Sequence, residues 1–308
     1  MRTARIGQLE VSVIGLGCNN FGRALDEAGS AAVVNAALDV GINHFDTASN
    51  YGNGKSESFL GAALGDRRAD VVISTKFGVP VPGLAGSGGA RPEYVRQSIE
   101  RSLSELRTDY VDLFMLHKPD PETPIADTLG AMQALVDAGT VREIGCSNLN
   151  ATQLQNALAT ASDLGHAAFV CNQMEYSLVR RDPETNGVVE SCRDGGVALL
   201  PFYPLASGLL TGKTRRGEPP KGRLSMDRYQ RYLTDANFDI AERLESYCAD
   251  HAIPMVHVAL GWLIAHDFVP SVTPGATTSE QVRTNAGAAD WLPTSEDLVK
   301  LETHLAGV

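Results

Sequence analysis

Apolar and polar positions along the chain follow two periods. Short runs rich in Val, Ile, Leu and Phe occur at 13–17, 43–46, 71–75, 110–116, 141–146, 169–174, 197–202 and 269–273, and each reads as a strand. Between these runs, apolar residues recur at three- and four-residue spacing. At 30–40, Ala31, Val34, Ala37 and Leu38 share one helical face, and Gly41 follows as a stop. Further helices are expected over 57–64, 92–106, 125–138, 150–160, 184–193, 238–251, 254–266 and 279–289. Pro92 suits the first turn of its helix, where no N–H is required. A hairpin is expected around 5–12, and a helix over 294–305 lies outside the repeat.

Strands that each lead to a helix predict an α/β chain. The alternation fits a (β/α)8 TIM barrel with an N-terminal β-hairpin and an extra C-terminal helix; a doubly wound open sheet shares it. No linker-like stretch separates the halves, so residues 1–308 are expected to form a single barrel domain. Two connections are long: 78–90, rich in Gly and Pro, and 203–236. Connections of this length are usually functional or disordered.

Composition narrows the function. The chain is 43% apolar and 20% charged, ordinary for a protein with a large core. Lys and Arg number 26 against 37 Asp and Glu, a net charge of −11. Such a surface repels phosphate backbones and anionic lipid, so no nucleic-acid or membrane partner is expected. There is no apolar run of about 18 residues and no signal-peptide core at the start. The 5 cysteines include no C-x-x-C pair, which points to a reduced, cytoplasmic setting and to cysteines acting as small buried apolar residues.

In a parallel barrel the active site is built at the C-terminal ends of the strands. The second strand ends at Asp46, with Tyr51 in the next loop; the third ends at Lys76 and the fourth at His117. Ser147 and Asn148 end the fifth, and Gln173 ends the sixth. A phenol titrates near 10, too high for easy proton transfer at neutrality, and a nearby ammonium lowers that value. A carboxylate keeps the ammonium charged and placed, and a histidine N–H can orient a carbonyl oxygen. Together Asp46, Tyr51, Lys76 and His117 form an acid–base set for a carbonyl/alcohol pair. Taken singly, each has an ordinary explanation: a helix cap, loop packing, a snorkelling lysine, a core histidine. Their coincidence at consecutive βα junctions favours the chemical one.

The surrounding motifs resemble the aldo-keto reductase family. They are Gly15-Leu16-Gly17, Phe45-Asp46-Thr47-Ala48 with Tyr51-Gly52, Ser74-Thr75-Lys76-Phe77-Gly78, Asp109-Tyr110-Val111-Asp112-Leu113 leading to His117, and Gly145-Cys146-Ser147-Asn148. Gln173-Met174-Glu175-Tyr176-Ser177, the run from Pro204 to Lys213, and Pro274-Gly275-Ala276 with Glu280, Gln281 and Asn285 continue the match in order. The later motifs are similar to the branch holding bacterial reductases and potassium-channel β-subunits.

The resemblance implies a (β/α)8 barrel that interconverts an aldehyde or ketone and an alcohol by hydride transfer with NADP(H), without a metal. It implies Tyr51 as proton donor, tuned by Lys76 and Asp46, with His117 orienting the carbonyl. Ser147, Asn148 and Gln173 would hold the nicotinamide amide, and Phe202 would stack on the ring. Leu205, Ser207 and Lys213 would follow the pyrophosphate, Arg223 the adenosine end, and Thr277, Gln281 and Asn285 the 2′-phosphate and adenine. Asn19 stands where some members carry Trp, and Lys118 where many carry an aromatic, which implies a more polar pocket. Gly275 and Gln281 replace the Lys and Arg of the best-known reductases, so NADP(H) is expected to be favoured moderately and NAD(H) to be used measurably. Basic residues in 203–236 (Lys213, Arg215, Arg216, Lys221, Arg223, Arg228, Arg231) suggest a lid that neutralises cofactor phosphates. Two other functions remain open: a nucleotide-binding redox-sensing regulatory subunit with slow turnover, and an NAD-linked sugar (lactol) dehydrogenase. Partners beyond the small-molecule substrate, and the oligomeric state, are not legible here.

Overall fold

A computed structural model describes residues 1–84 and 88–307; positions 85–87 of the expected 78–90 loop lie outside it. The chain opens with the expected antiparallel hairpin, β1 (Thr3–Ile6) and β2 (Leu9–Ser12). Alternation follows: β3 (Leu16–Gly17), α1 (Glu27–Asp39), β4 (His44–Asp46), α2 (Lys55–Leu64), β5 (Val72–Phe77), α3 (Pro92–Leu106), β6 (Val111–Leu116) and α4 (Ile125–Asp137). It continues with β7 (Val141–Ser147), α5 (Ala151–Leu164), β8 (Cys171–Glu175), α6 (Asp182–Thr185), α7 (Val188–Asp194) and β9 (Ala198–Phe202). The helices α8 (Asp235–His251), α9 (Met255–Ile264), α10 (Ser279–Ala286) and α11 (Ser295–Ala306) complete it.

Strands β3 to β9 form one parallel, curled seven-stranded sheet in sequence order. The strand expected over 269–273 is not a regular strand. Pro270 and Pro274 lack the N–H that a ladder needs, and only isolated bridges form, Ile14 with Val272 and Gly17 with Gly275. The segment still touches both ends of the sheet. Leu199 N–H donates to Phe268 O (2.8 Å) on one side, and Gly15 N–H donates to Val272 O (2.8 Å) on the other. Gly17 has to be glycine, because a Cβ there would lie 2.6 Å from Thr273 O. The predicted 13–17 strand is correspondingly reduced to Leu16–Gly17.

Inside the curl, the hairpin residues Ile6, Leu9 and Val11 pack on Val72, Leu113, Met115, Cys171 and Leu200. The N-terminal hairpin therefore fills one end of the sheet, and the strand C-termini open at the other. One polar layer crosses this interior. His44 contacts Ser271 Oγ through Nδ1 (2.9 Å) and Ser74 Oγ through Nε2 (2.8 Å), and burial holds it down to about 4, so the ring is neutral.

Local signals explain the helix ends. Pro92 begins α3, and Asn150 and Gln153 form a reciprocal cap on α5, which stops at left-handed Gly165 (φ 64°). The helix expected over 184–193 is split, because Gly187 (φ 81°) interrupts it between α6 and α7. The long 203–236 segment is not a bare loop. It holds 3₁₀ turns at Ala206–Thr211, Gly222–Ser225 and Asp227–Tyr232, anchored by buried Leu224, Tyr229 and Tyr232. All five cysteines are buried and unbridged.

One buried charge lies behind the sheet. Glu57 of α2 is fully buried and accepts from Thr75 Oγ1 (2.6 Å). Its Oε2 and the Ser102 hydroxyl of α3 both lack a hydrogen-bond partner. Burial pushes this carboxyl from about 4.5 to about 7, against the Thr75 bond that favours its charged form. The folded chain thus holds a proton that the unfolded chain releases earlier. Its contribution to stability is full below about 4.5 and is lost as pH rises through about 7. We expect urea unfolding to show stability falling by about 3 kcal/mol from this group across that window. Glu57→Gln should flatten the fall and be more stable than the unaltered protein at pH 8; an unchanged slope would contradict this.

Candidate active site

The strand C-termini surround a cleft of about 1790 Å³. Asp46 is the last residue of β4 and pairs in register with Ser74 of β5, two residues before Lys76. Strand alternation points Lys76 to the same interior side as Ser74. The Lys76 ammonium is fully buried and reaches Asp46 Oδ1 (2.8 Å), Asp46 Oδ2 (2.9 Å) and Thr47 O (2.7 Å). All three of its donors are therefore used. Burial pulls this ammonium down, but Asp46 and Tyr51 outweigh it and hold Lys76 above its ordinary value.

Tyr51 sits in a 3₁₀ turn, Tyr51–Gly54, that follows β4. Lys76 Nζ lies 5.2 Å from its ring centroid, and the His117 ring meets it edge-on at 5.9 Å. Here the structure corrects the expectation from sequence. Burial pushes the Tyr51 phenol above its ordinary value, and the opposing pull of Lys76 does not overcome it, partly because Asp46 pushes the other way. His117 is held down to about 3 by burial, by Lys76 and by Lys118, so its ring is neutral. Its Nδ1 is buried without a partner.

Further residues tie into this core. Gln173 Nε2 donates to Asp46 Oδ1 (3.2 Å). Asn148, held at φ 64°, donates through Nδ2 to His117 O (3.1 Å) and to Ser147 Oγ (2.9 Å), and Ser147 Oγ donates to Gln173 O (2.9 Å). Across the cleft, Tyr203, Ala206 and Ser207 are all in the left-handed region, at 51°, 47° and 57°. Such a run of non-glycine residues stores strain of the kind concentrated at ligand sites. The Ser207 hydroxyl is buried without a partner.

Fifteen of the sixteen residues singled out from sequence line this cleft: Asn19, Asp46, Tyr51, His117, Ser147, Asn148, Gln173, Phe202, Leu205, Ser207, Lys213, Arg223, Thr277, Gln281 and Asn285. Lys76 is the exception, buried behind Asp46. Arg223 bridges to the loop after β3. It donates to Asn19 Oδ1 (2.6 Å) and Asn20 Oδ1 (2.5 Å), and its charge reaches Tyr51. Three of the lid cations do not face the cleft: Arg215 pairs with Glu245, Arg216 with Asp235, Asp239 and Glu242, and Arg231 with Glu175. At the far end, Gln281 Oε1 accepts from Thr277 N (2.7 Å) and Thr277 Oγ1 (3.1 Å), which leaves its amide nitrogen free to donate into the cleft.

Sequence reasoning passed over Asn20, Arg23 and Thr284, which also line the cleft. Asn20 donates to Ala276 O (2.9 Å) while accepting from Arg223, and so joins the β3 loop to the lid and to the segment before α10. Its only sequence signal was its place between Gly17 and Gly22 after the first strand. Among the described residues, no group of three or more His, Cys, Asp or Glu side chains is placed to hold a metal ion, and no helix is long and apolar enough to cross a membrane.

The sequence pattern of the Aldo/keto reductase family matches residues 13–306, and the chain belongs to this family. It shares 32% identity with an L-glyceraldehyde 3-phosphate reductase of Escherichia coli (strain K12), over 97% of this chain and 90% of that protein. It shares 32% with a probable voltage-gated potassium channel subunit beta of Arabidopsis thaliana, over 92% and 89%. A probable aldo-keto reductase 1 of Glycine max shares 33%, over 91% and 81%.

The buried ion pair generates a stability prediction. Removing one partner strands the other charge in a dry site, which costs about 3–5 kcal/mol. We expect Lys76→Met and Asp46→Leu each to lose an amount of this order in urea unfolding. The double variant should lose clearly less than the sum. Additive losses would show that the two groups are not coupled.

Proposed function

We propose that the protein is an NAD(P)H-dependent oxidoreductase that reduces an aldehyde or ketone to an alcohol, with Tyr51 as proton donor. The observation that carries this reading is the arrangement of Tyr51 between the buried Lys76–Asp46 pair and the neutral His117. Family membership and the reductase names of several relatives support carbonyl chemistry in general. The contacts of 268–275 with both sheet ends support reading the fold as a closed (β/α)8 barrel of one domain. Its location is proposed to be cytoplasmic, from the cysteine usage.

The cleft fits a nicotinamide dinucleotide. Gln173 and Asn148 each spend their amide N–H groups on protein acceptors, which leaves their carbonyl oxygens for a carboxamide NH₂. The Phe202 ring lines the cleft and can offer a stacking face. The unpartnered Ser207 hydroxyl and the strained turn around it, beside Leu205, suit a pyrophosphate, with Lys213 on the same cleft. Thr277, Gln281 and Asn285 would receive the 2′-phosphate and adenine. A bound reduced nicotinamide supplies two electrons, as hydride, to the carbonyl carbon.

The chain's own residues handle the proton. His117 is neutral, and its Nδ1 faces no acceptor, so the proton is better kept on Nε2, where it can hydrogen-bond a substrate oxygen. As negative charge grows on that oxygen, the Tyr51 hydroxyl transfers its proton to it. The phenolate left behind lies within the field of Lys76, which Asp46 and Thr47 O hold in place. Because Tyr51 is raised above the ordinary phenol value, it stays protonated through neutral pH. That state is the one from which a proton is donated in reduction.

Tyr51→Phe removes only the transferable proton. It should lower kcat on a simple aldehyde by about 10²–10⁴ while cofactor affinity survives; a near-native rate would exclude the role. In the unaltered protein, kcat/KM for reduction should show no limb near 6.5, since His117 stays neutral down to about 3.

Cofactor choice follows from the donors near α10. Neither Lys nor Arg stands at 275 or 281, but the Gln281 amide nitrogen remains free to donate. Hydrogen bonds to charged groups are worth about 1.5–3 kcal/mol. NADPH should bind about tenfold to a hundredfold more tightly than NADH in fluorescence quenching at fixed salt. Equal affinities would contradict this and favour an NAD-linked enzyme.

A further inference from the structure

The protein is acidic overall, yet the cleft inverts that charge. Its acidic lining residues are Asp46, spent on Lys76, and Glu280, whereas Arg23, Lys118, Lys213, Lys221, Arg223 and Arg228 bring positive charge. Several of these have other work. Arg223 is bound to Asn19 and Asn20, Arg228 lies over the Tyr229 ring at 4.6 Å, and Lys221 pairs with Glu218 at 3.4 Å. Lys213 belongs to the loop read above as the pyrophosphate site. Arg23 and Lys118 remain. Both are exposed, and neither side chain has a carboxylate or hydrogen-bond partner among the described residues.

Both stand beside the proton donor. Lys118 directly follows His117, whose ring meets Tyr51, and its charge helps to hold the imidazole neutral. The neighbouring Asp120 does not neutralise Lys118, because its carboxylate accepts from Ala90 N, Glu122 N and Thr123 Oγ1. Arg23 follows Gly22, which packs directly on Gly52; a Cβ at Gly52 would lie 3.1 Å from Gly22 Cα. The turn carrying Arg23 is therefore seated against the turn carrying Tyr51. Asp26, the nearest acid in sequence, caps α1 through Gly29 N (2.8 Å).

We propose that Lys118 and Arg23 form an anion subsite on the substrate side of the cleft, and that the preferred substrate is a small carbonyl compound carrying a carboxylate or phosphate group. Two free cations flanking the reacting carbonyl would draw such a substrate in and hold its charged end while Tyr51 and His117 meet its carbonyl oxygen. This rests on the carbonyl-reductase reading above, and the test separates the two.

The test compares kcat/KM, at saturating NADPH, for succinic semialdehyde against its methyl ester and for glycolaldehyde phosphate against glycolaldehyde. At least one charged form should win by about tenfold or more, or about 1.4 kcal/mol, and the winning pair tells carboxylate from phosphate. The advantage should shrink as salt rises. Lys118→Met and Arg23→Met should each lower the charged-to-neutral ratio by about threefold or more, the double variant should bring it near one, and Lys118→Arg should retain it. Equal turnover of charged and neutral aldehydes, or a ratio unmoved in the double variant, overturns the subsite and leaves the reductase reading standing. Turnover of none of the aldehydes overturns both.

Discussion

A charged lysine cannot be left unpaired in a dry interior, and the way Lys76 is satisfied organises the site. Its three donors go to Asp46 and Thr47 O, so β4 and β5 are joined by an ion pair at the point where both strands end. Asp46 then has a free lone pair, and Gln173 of β8 fills it from across the curl. Ser147 and Asn148 of β7 connect Gln173 to the backbone of His117 just after β6. One buried charge thus links side chains from four strand ends, and the backbone just after a fifth, in a single hydrogen-bonded chain. Tyr51 sits beside this chain, with Lys76 Nζ 5.2 Å from its ring centroid, and lines the cleft.

Backbone constraints place the second wall. Gly17 and Gly275 bridge with no room at Gly17 for a Cβ, and so the 268–275 segment lies flush against the start of the sheet. On the opposite side, three non-glycine residues are held at positive φ between Tyr203 and Ser207. Aromatic packing sustains that conformation: Tyr203 meets Phe202 at 5.3 Å and Tyr229 at 5.7 Å, both edge-on. The strain is therefore maintained by neighbouring aromatic rings, and the 203–236 segment packs as part of the core.

Much of this was legible in sequence, and the residues explain why. Hydrophobic periodicity located the helix Pro92–Leu106 at both ends, because Pro92 starts it and left-handed Arg107 ends it. Asp46, Tyr51, Lys76 and His117 stood out because their residue types are unusual at strand ends. Two features escaped. The eighth strand loses its ladder to Pro270 and Pro274, which an apolar run does not reveal. The direction of the Tyr51 shift depends on how far burial outweighs Lys76, a balance of three-dimensional distances.

The same balance sets the protonation of the site. In water, an ammonium beside a phenol would favour phenolate. Here the ammonium is itself neutralised by Asp46, so its net field at Tyr51 is that of a dipole and not of a free charge. Burial then decides, and the phenol keeps its proton. The imidazole follows the same logic: Lys76 and Lys118 both oppose a third positive charge, and the dry wall removes the solvation that would permit one. Two neutral hydrogen-bonding groups, Tyr51 and His117, therefore line the cleft above one buried ion pair. Charge held in reserve beneath neutral donors suits a site that must accept negative charge transiently, and it costs the resting protein no unpaired ion.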